Sequence, residues 1–134
     1  MEKIIYMSDA WIDKLNSVAQ SHLGLSEVAT DIELVIEYRV VGETLTIWQI
    51  KIDKGNTTVT ANNDSKPDVW YETDLSTAVA LFEGTIDPLT AIIEGKMEIG
   101  GDPRVLLDKS IVFEQLENIF ETIRPTTVFD FDRE

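Results

Sequence analysis

The chain has 134 residues, 43% of them hydrophobic, with 25 acidic and 11 basic side chains for a net charge of −14, one histidine and no cysteine. Length and composition predict one domain with a real hydrophobic core, and exclude a disordered chain. The acidic balance, with no Lys/Arg cluster, excludes nucleic acid as a partner and disfavours anionic membranes; the lack of cysteine excludes disulfides, thiol nucleophiles and sulfur-bound metals.

The opening MEKIIYMSDA contains no signal-peptide apolar run, and no stretch approaches the ~20 apolar residues that span a bilayer. A cytoplasmic location without stable membrane insertion is therefore expected. Ser8 is a good N-cap, and Trp11, Ile12, Leu15, Val18 and Ala19 recur at helical spacing. They predict an amphipathic helix over 9–21 that ends near Gly24.

From Ile32 the period becomes two. Leu34, Ile36, Tyr38 and Val40 share one face, while Glu33, Glu37 and Arg39 share the other. After a turn at Val41-Gly42-Glu43, a strand is expected over 44–52. Its alternation slips, which calls for a bulge near Ile47-Trp48 or cover on both faces, with Trp48, Ile50 and Ile52 inward. Lys54-Gly55-Asn56 marks a further turn, 57–61 a third strand, and Asn62 to Pro67 a polar surface loop. A fourth strand over 68–73 places Val69 and Tyr71 on one face and Trp70 on the other.

Asp74 caps a helix through Phe82 with Leu75, Ala78, Val79 and Phe82 in one stripe, closed by Gly84. Asp87-Pro88 starts a short helix over 88–94, because proline suits the first turn and the aspartate accepts from free N–H groups. Gly95 closes it, and 96–99 forms a fifth strand. Asp102-Pro103 repeats the cap-then-proline start for one long helix over 103–123. Its seam holds Val105, Lys109, Val112, Leu116, Ile119 and Ile123, widened by Leu106, Phe113 and Phe120. Pro125 stops it. The closing TVFDFDRE is read as an edge strand, an ordered tail or a plug. Strands grouped ahead of helices predict an α+β fold: a mostly antiparallel sheet with helices on one face. The last strand, entering after a helical excursion, is expected to pair parallel with a neighbour.

Chemistry is hard to find in these residues. His22 falls at a helix end and no G-x-S-x-G turn exists, so a Ser-His-Asp triad is not supported and a solvated histidine is the simpler reading. Many acids make some carboxylate pairs inevitable, and they are read as a solvated face. Gly100-Gly101-Asp102 lacks the pattern of a phosphate loop, and Asp102 would fill the helix terminus with its own carboxylate. Asn62-Asn63-Asp64 lacks the glycine and closing glutamate of a calcium loop. Asn56-Thr57-Thr58 and Asn63-Asp64-Ser65 match a glycosylation pattern that only a secreted chain would use. No cofactor, no metal and no catalytic residue is expected. The abundant apolar residues are read first as plain core.

Residues 84–103, GTIDPLTAIIEGKMEIGGDP, carry a resemblance. Asp87-Pro88, Ala91-Ile92-Ile93, Gly95-Lys96-Met97-Glu98-Ile99 and Gly101-Asp102 are similar in order and spacing to the sterol carrier protein 2 family. Asp68-Val69-Trp70-Tyr71-Glu72 and Trp48-Gln49-Ile50-Lys51-Ile52 resemble two of its strands, and the likeness runs from about Trp11 to Phe120.

The resemblance implies a five-stranded sheet covered by helices around an apolar tunnel that binds a fatty acid, fatty acyl-CoA or sterol-like lipid without converting it. The acidic charge departs from basic, membrane-docking members, and the ending Phe131-Asp132-Arg133-Glu134 carries no peroxisomal signal, which suggests a free-standing prokaryotic-type member. The expected wall comprises Leu34, Ile36, Trp48, Ile50, Val69, Tyr71, Met97 and Ile99 from strands. Val79, Phe82, Leu89, Ile92, Phe113 and Phe120 complete it from helices. Lys96 and Arg104 are the nearest bases for a carboxylate and are read as surface charges. The alternative is an interaction or accessory domain whose core is filled by side chains such as Trp48, Phe82, Phe113 and Phe120, working with a partner enzyme.

Overall fold

The computed structural model describes residues 3–61, 64–102 and 104–129; Asn62, Asn63, Pro103 and the expected plug residue Phe131 lie outside the described residues. In chain order the elements begin with strand β1 (Ile4–Ile5) and helices α1 (Asp9–Ser21) and α2 (Leu23–Val28). Strands β2 (Glu33–Val41), β3 (Leu45–Asp53), β4 (Asn56–Thr60) and β5 (Val69–Asp74) follow. Then come helices α3 (Leu75–Glu83) and α4 (Pro88–Ile93), strand β6 (Met97–Gly101), and helices α5 (Arg104–Asp108) and α6 (Ser110–Ile123). A 3₁₀ turn (Arg124–Thr126) leads to β7 (Thr127–Val128).

The fold is α+β: a five-stranded sheet in the order β4-β3-β2-β5-β6, with helices packed on it. Local signals act as expected. Ser8, Asp74 and Asp87 each accept a backbone N–H three residues ahead, and Gly84 closes α3 with a φ of 81° that costs glycine nothing. Trp11, whose backbone N–H is capped by Ser8, also donates its indole N–H to Thr127 Oγ1 at 3.1 Å. That bond ties the start of α1 to β7, which pairs in parallel with β1.

Three expectations are corrected, and one either-or reading is decided. The parallel pair is β2 with β5, whereas β6 returns antiparallel to β5. Strand β5 lies on the far side of β2 from β3 and β4, and the two helices α3 and α4 precede the reversed β6. No bulge interrupts β3, whose register with β2 runs unbroken from Val41↔Leu45 to Glu33↔Asp53. The long last helix is two helices, broken at Lys109 (φ −115°, ψ 27°), the one polar residue on the apolar seam. Finally, α2 and β1 were not foreseen, since six and two residues are too short to show a period.

The slip in β3 alternation has the second of its two expected causes: both faces are covered. Gln49 is fully buried on the outer face, where its amide donates to Glu37 Oε1 at 2.8 Å and to the Ser65 carbonyl at 2.9 Å. Glu37 is buried there as well and pairs with Arg39, whose guanidinium lies 4.2 Å above the Trp70 ring. Asp64 and Ser65 thus meet the outer face, with Asp64 paired to Lys51. Trp70 in turn lies flat over Gly100, its register partner, where any Cβ would collide with the indole.

The inner face is organised as cross-strand rows. One row runs Val59–Ile50–Ile36–Val69, none more than 5% exposed. Beside it, Ile52 pairs with Leu34. Two residues further along the strands lies Trp48–Tyr38–Tyr71–Ile99, and beyond it Val40, Thr73 and Met97. The first rows are sealed by Leu15, Ala19, Leu25, Val112, Ile119 and Ile123 from α1, α2 and α6, all buried in the same core.

Candidate functional site

Over the later rows the core does not close. A cavity of about 570 Å³ opens between the sheet, α3, the start of α4, and helices α5 and α6. Its wall is aromatic. Tyr38 and Trp48, opposite one another in the β2–β3 register, stack at 4.2 Å, and Tyr71 stacks on Tyr38 at 5.4 Å. Trp11 meets Trp48 edge-on at 5.3 Å, and Tyr6 stacks on Phe82 at 5.1 Å. Phe120 stands perpendicular to Tyr38, Trp48 and Phe82 from α6. Such edge and offset contacts rigidify a wall beyond what burial alone supplies.

Polar groups on the wall are few. Thr73 donates its hydroxyl to the Lys96 carbonyl at 2.7 Å, and so is already satisfied. Burial pushes the Tyr38 phenol well above the ordinary tyrosine range, with the nearby Tyr71 and Tyr6 phenols and the Glu117 carboxylate adding to the effect. Burial likewise pushes Tyr71 up to about 12 and Tyr6 higher still. All three remain protonated donors near neutral pH. Their hydroxyls have no hydrogen-bond partner among the described residues. The enclosed Trp48 Nε1 also lacks one.

The mouth is different in character. Its exposed edge is formed by Asp87 and Pro88 from the α3–α4 junction and by Ser110, Glu114 and Glu117 from α6. Asp87 accepts the Thr90 N–H at 2.8 Å, which holds its carboxyl below the usual carboxylate range. Glu117 lies 3.5 Å from Arg124, whose Nε–H also donates to the Phe82 carbonyl at 2.7 Å. Among the described residues Arg39 is the one basic residue along the cavity, and its guanidinium is engaged with Glu37 on the other face of the sheet.

Of the residues expected to form a wall, Trp48, Tyr71, Phe82, Met97, Phe113 and Phe120 border the cavity. Leu34, Ile36, Ile50 and Val69 instead sit in the filled rows of the core, and Val79 and Ile99 pack beside it. Leu89 and Ile92 are placed elsewhere: they are 66% and 37% exposed. The short α4 turns only Ala91 fully inward, so both leucine and isoleucine fall outside. The wall residues Tyr6, Trp11, Tyr38, Val40, Ala78 and Leu116 were not foreseen as such. Tyr38 was legible in principle, since it shares parity with Ile36 and faces Trp48; Tyr6 was not, because nothing periodic surrounds it.

The remaining candidates are architectural. His22 is not simply solvated: its Nδ1 accepts the Leu25 N–H at 3.0 Å and caps α2. Lys96 pairs with Glu94 at 3.0 Å, and Arg104 pairs with Asp102 at 3.0 Å. The Asp102 carboxylate also accepts the Arg104 N–H, filling the helix start itself. Among the described residues no group of three or more His, Cys, Asp or Glu side chains is arranged to hold a metal. No described helix is long and apolar enough to cross a membrane.

Residues 13–114 match the model of the SCP-2 sterol transfer family. No curated protein matches the chain by sequence. Among solved structures, the chain is similar to a conserved hypothetical protein of Thermus thermophilus, described as a candidate sterol carrier protein. The two share 16% identity over 92% of each chain, with a TM-score of 0.71. A crystal structure of sterol carrier protein 2 gives 16% identity over 86% of this chain and 96% of that one, with a TM-score of 0.69. The apo form of sterol carrier protein 2 from Yarrowia lipolytica gives 15% identity over 87% and 91%, with a TM-score of 0.64. At these identities the likeness establishes the fold.

Proposed function

Because the chain belongs to the SCP-2 sterol transfer family, we propose that it binds a fatty acid, fatty acyl-CoA or sterol-like lipid in its cavity and carries it without converting it. The cavity serves as the apolar tunnel, and the protein works as a cytoplasmic carrier with no catalytic residue of its own. One observation supports this reading above the others: at the place where the core should close, about 570 Å³ stays open between aromatic walls. That lies within the few-hundred to thousand Å³ typical of ligand pockets, and is nearly four times the ~150 Å³ apolar void that already takes up benzene. Each CH₂ of a ligand buried there contributes about 0.8 kcal/mol. Lipid affinity then follows chain length and shape rather than any one polar contact.

Native mass spectrometry of protein taken from its natural host tests the reading. Protein carrying a lipid mass that organic extraction removes is the expected result. Protein that is empty as isolated and takes up neither a fluorescent fatty acid nor a fluorescent sterol at micromolar concentration would overturn it.

A second reading, an accessory domain that works with a partner enzyme, draws on exposed apolar residues of α4, α5 and α6. Ile93 is 75% exposed, Leu107 80% and Ile111 56%. If a partner covers them, Ile93→Glu with Leu107→Glu abolishes its copurification while lipid uptake is unchanged. Lipid uptake lost along with the partner would instead assign these residues to the carrier itself.

A further inference from the structure

The mouth and the wall together point to the head group of the ligand, an inference that rests on the carrier reading above. An apolar tail can enter any greasy cavity, so selectivity must come from the few groups with polarity or charge. Three carboxylates border the opening, those of Asp87, Glu114 and Glu117. Among the described residues no lysine does. Arg39, the sole basic residue along the cavity among the described residues, turns its guanidinium to the opposite face of the sheet, where Glu37 and Trp70 hold it. Arg124, close by, is occupied by Glu117 and by the Phe82 carbonyl. A fatty acid carboxylate or an acyl-CoA phosphate at this opening would meet the carboxylates of Asp87 and Glu114, while Arg124 is already paired with Glu117.

The interior offers the reverse of an anion's needs only in part. Tyr38 and Tyr71, at the centre of the stacked aromatic row, carry hydroxyl donors with no partner among the described residues. Both rings are partly buried on the cavity wall, and a ligand oxygen that accepts from either hydroxyl makes a hydrogen bond shielded from bulk water. The oxygen best suited is uncharged, because the protein nearby supplies repulsion and desolvation against a formal negative charge. Acidic residues alone would not define a site. Here they border a cavity that already holds unpartnered donors.

We propose that the cavity takes an uncharged lipid bearing a single accepting oxygen, such as an ester, ketone or alcohol, and discriminates against the corresponding carboxylate. The acidic mouth acts as a charge filter on what the aromatic wall would otherwise accept.

Matched twelve-carbon ligands test this. Methyl laurate and laurate are compared by displacement of pyrene from the cavity at pH 7.5, below the aggregation limit of each. The ester is expected to bind at least tenfold tighter. Part of that ratio reflects the greater water affinity of any carboxylate, so the decisive comparison is with Glu114→Gln, which leaves the Glu117–Arg124 pair intact. Glu114 is exposed, and the variant is expected to fold normally, with an unchanged thermal melt as the check. Its laurate affinity should rise about threefold or more, and the wild-type laurate affinity should rise with added salt while the ester's does not. Laurate binding as tightly as the ester, or a ratio that Glu114→Gln leaves unmoved, overturns the filter and leaves the carrier reading standing. Failure of pyrene and both lipids to bind overturns the carrier reading itself.

Discussion

Two adjacent rows of the same sheet face meet opposite fates. Val59–Ile50–Ile36–Val69 is sealed under helices, while Trp48–Tyr38–Tyr71, one pleat away, fronts an open cavity. Backbone, strand order and register are continuous between them. What differs is side-chain shape and the helix above. Branched aliphatic residues interdigitate with Leu15, Leu25, Val112 and Ile119 at the density of a protein interior. Flat rings stack on one another and leave a slot that Ala78 and the broken α5–α6 segment do not fill. One region holds the fold together; the other is free to hold something else.

That division can be broken most directly from the filled side. Ile36→Ala should lower the unfolding free energy in urea by about 3 kcal/mol, in the range for a buried isoleucine whose site cannot collapse. Phe113→Ala, on the half-buried cavity wall, should cost less than half as much. Equal losses would mean that both regions share the core's role alike. The aromatic row sharpens the contrast at high pH. Tyr71 has its phenol raised from 10.0 to about 12 by burial, so the folded state holds the proton more tightly than the unfolded chain. Its contribution is complete below pH 10 and is lost as the pH rises through about 12. Tyr71→Phe should therefore recover on the order of 2 kcal/mol of alkaline stability, with no effect at pH 7 beyond the substitution itself. Alkaline melts identical in the two proteins would remove the phenol from the account.

From the open side, the largest single test is to fill the slot. Ala78→Phe projects a ring into the cavity and should weaken lipid binding at least tenfold, while stability changes by less than about 1 kcal/mol, below the usual cost of overpacking. A loss of several kcal/mol would show that no room existed. The smallest expected effect concerns the N-cap of α3. Asp74 accepts the Thr77 N–H at 2.7 Å, and that bond holds its carboxyl below the usual range. Asp74→Ala should cost about 1 kcal/mol, and in the wild type the same contribution is present above pH 4 and fades as the pH falls further. Hydrogen exchange should speed up in α3 and not in the Ile36 row.

Much of this molecule follows from its sequence because its cues are local. Ser8, Asp74 and Asp87 cap helices wherever they occur, Gly84 closes one, and the parity of Leu34, Ile36, Trp48, Ile50, Val69 and Tyr71 assigns an inner face. The spacing over 84–103 carried the family likeness for the same reason: a string of caps and glycines is readable without contacts. Parity, however, says only that a side chain points inward. It does not say whether anything opposes it. Ile36 and Tyr38 are equivalent to the sequence, and only the tertiary structure places packed helices over one and open space over the other. The same holds for Leu89, which sits in an apolar helix yet faces outward, and for Tyr6, which reaches the wall because β1 pairs with β7 from the far end of the chain. The acidic mouth is likewise a product of assembly, since Asp87 and Glu117 meet across one opening although thirty residues separate them. Local propensity writes the elements. Whether their inner faces close or enclose is decided by long-range packing, where each wall residue depends on partners that no nearby residue specifies.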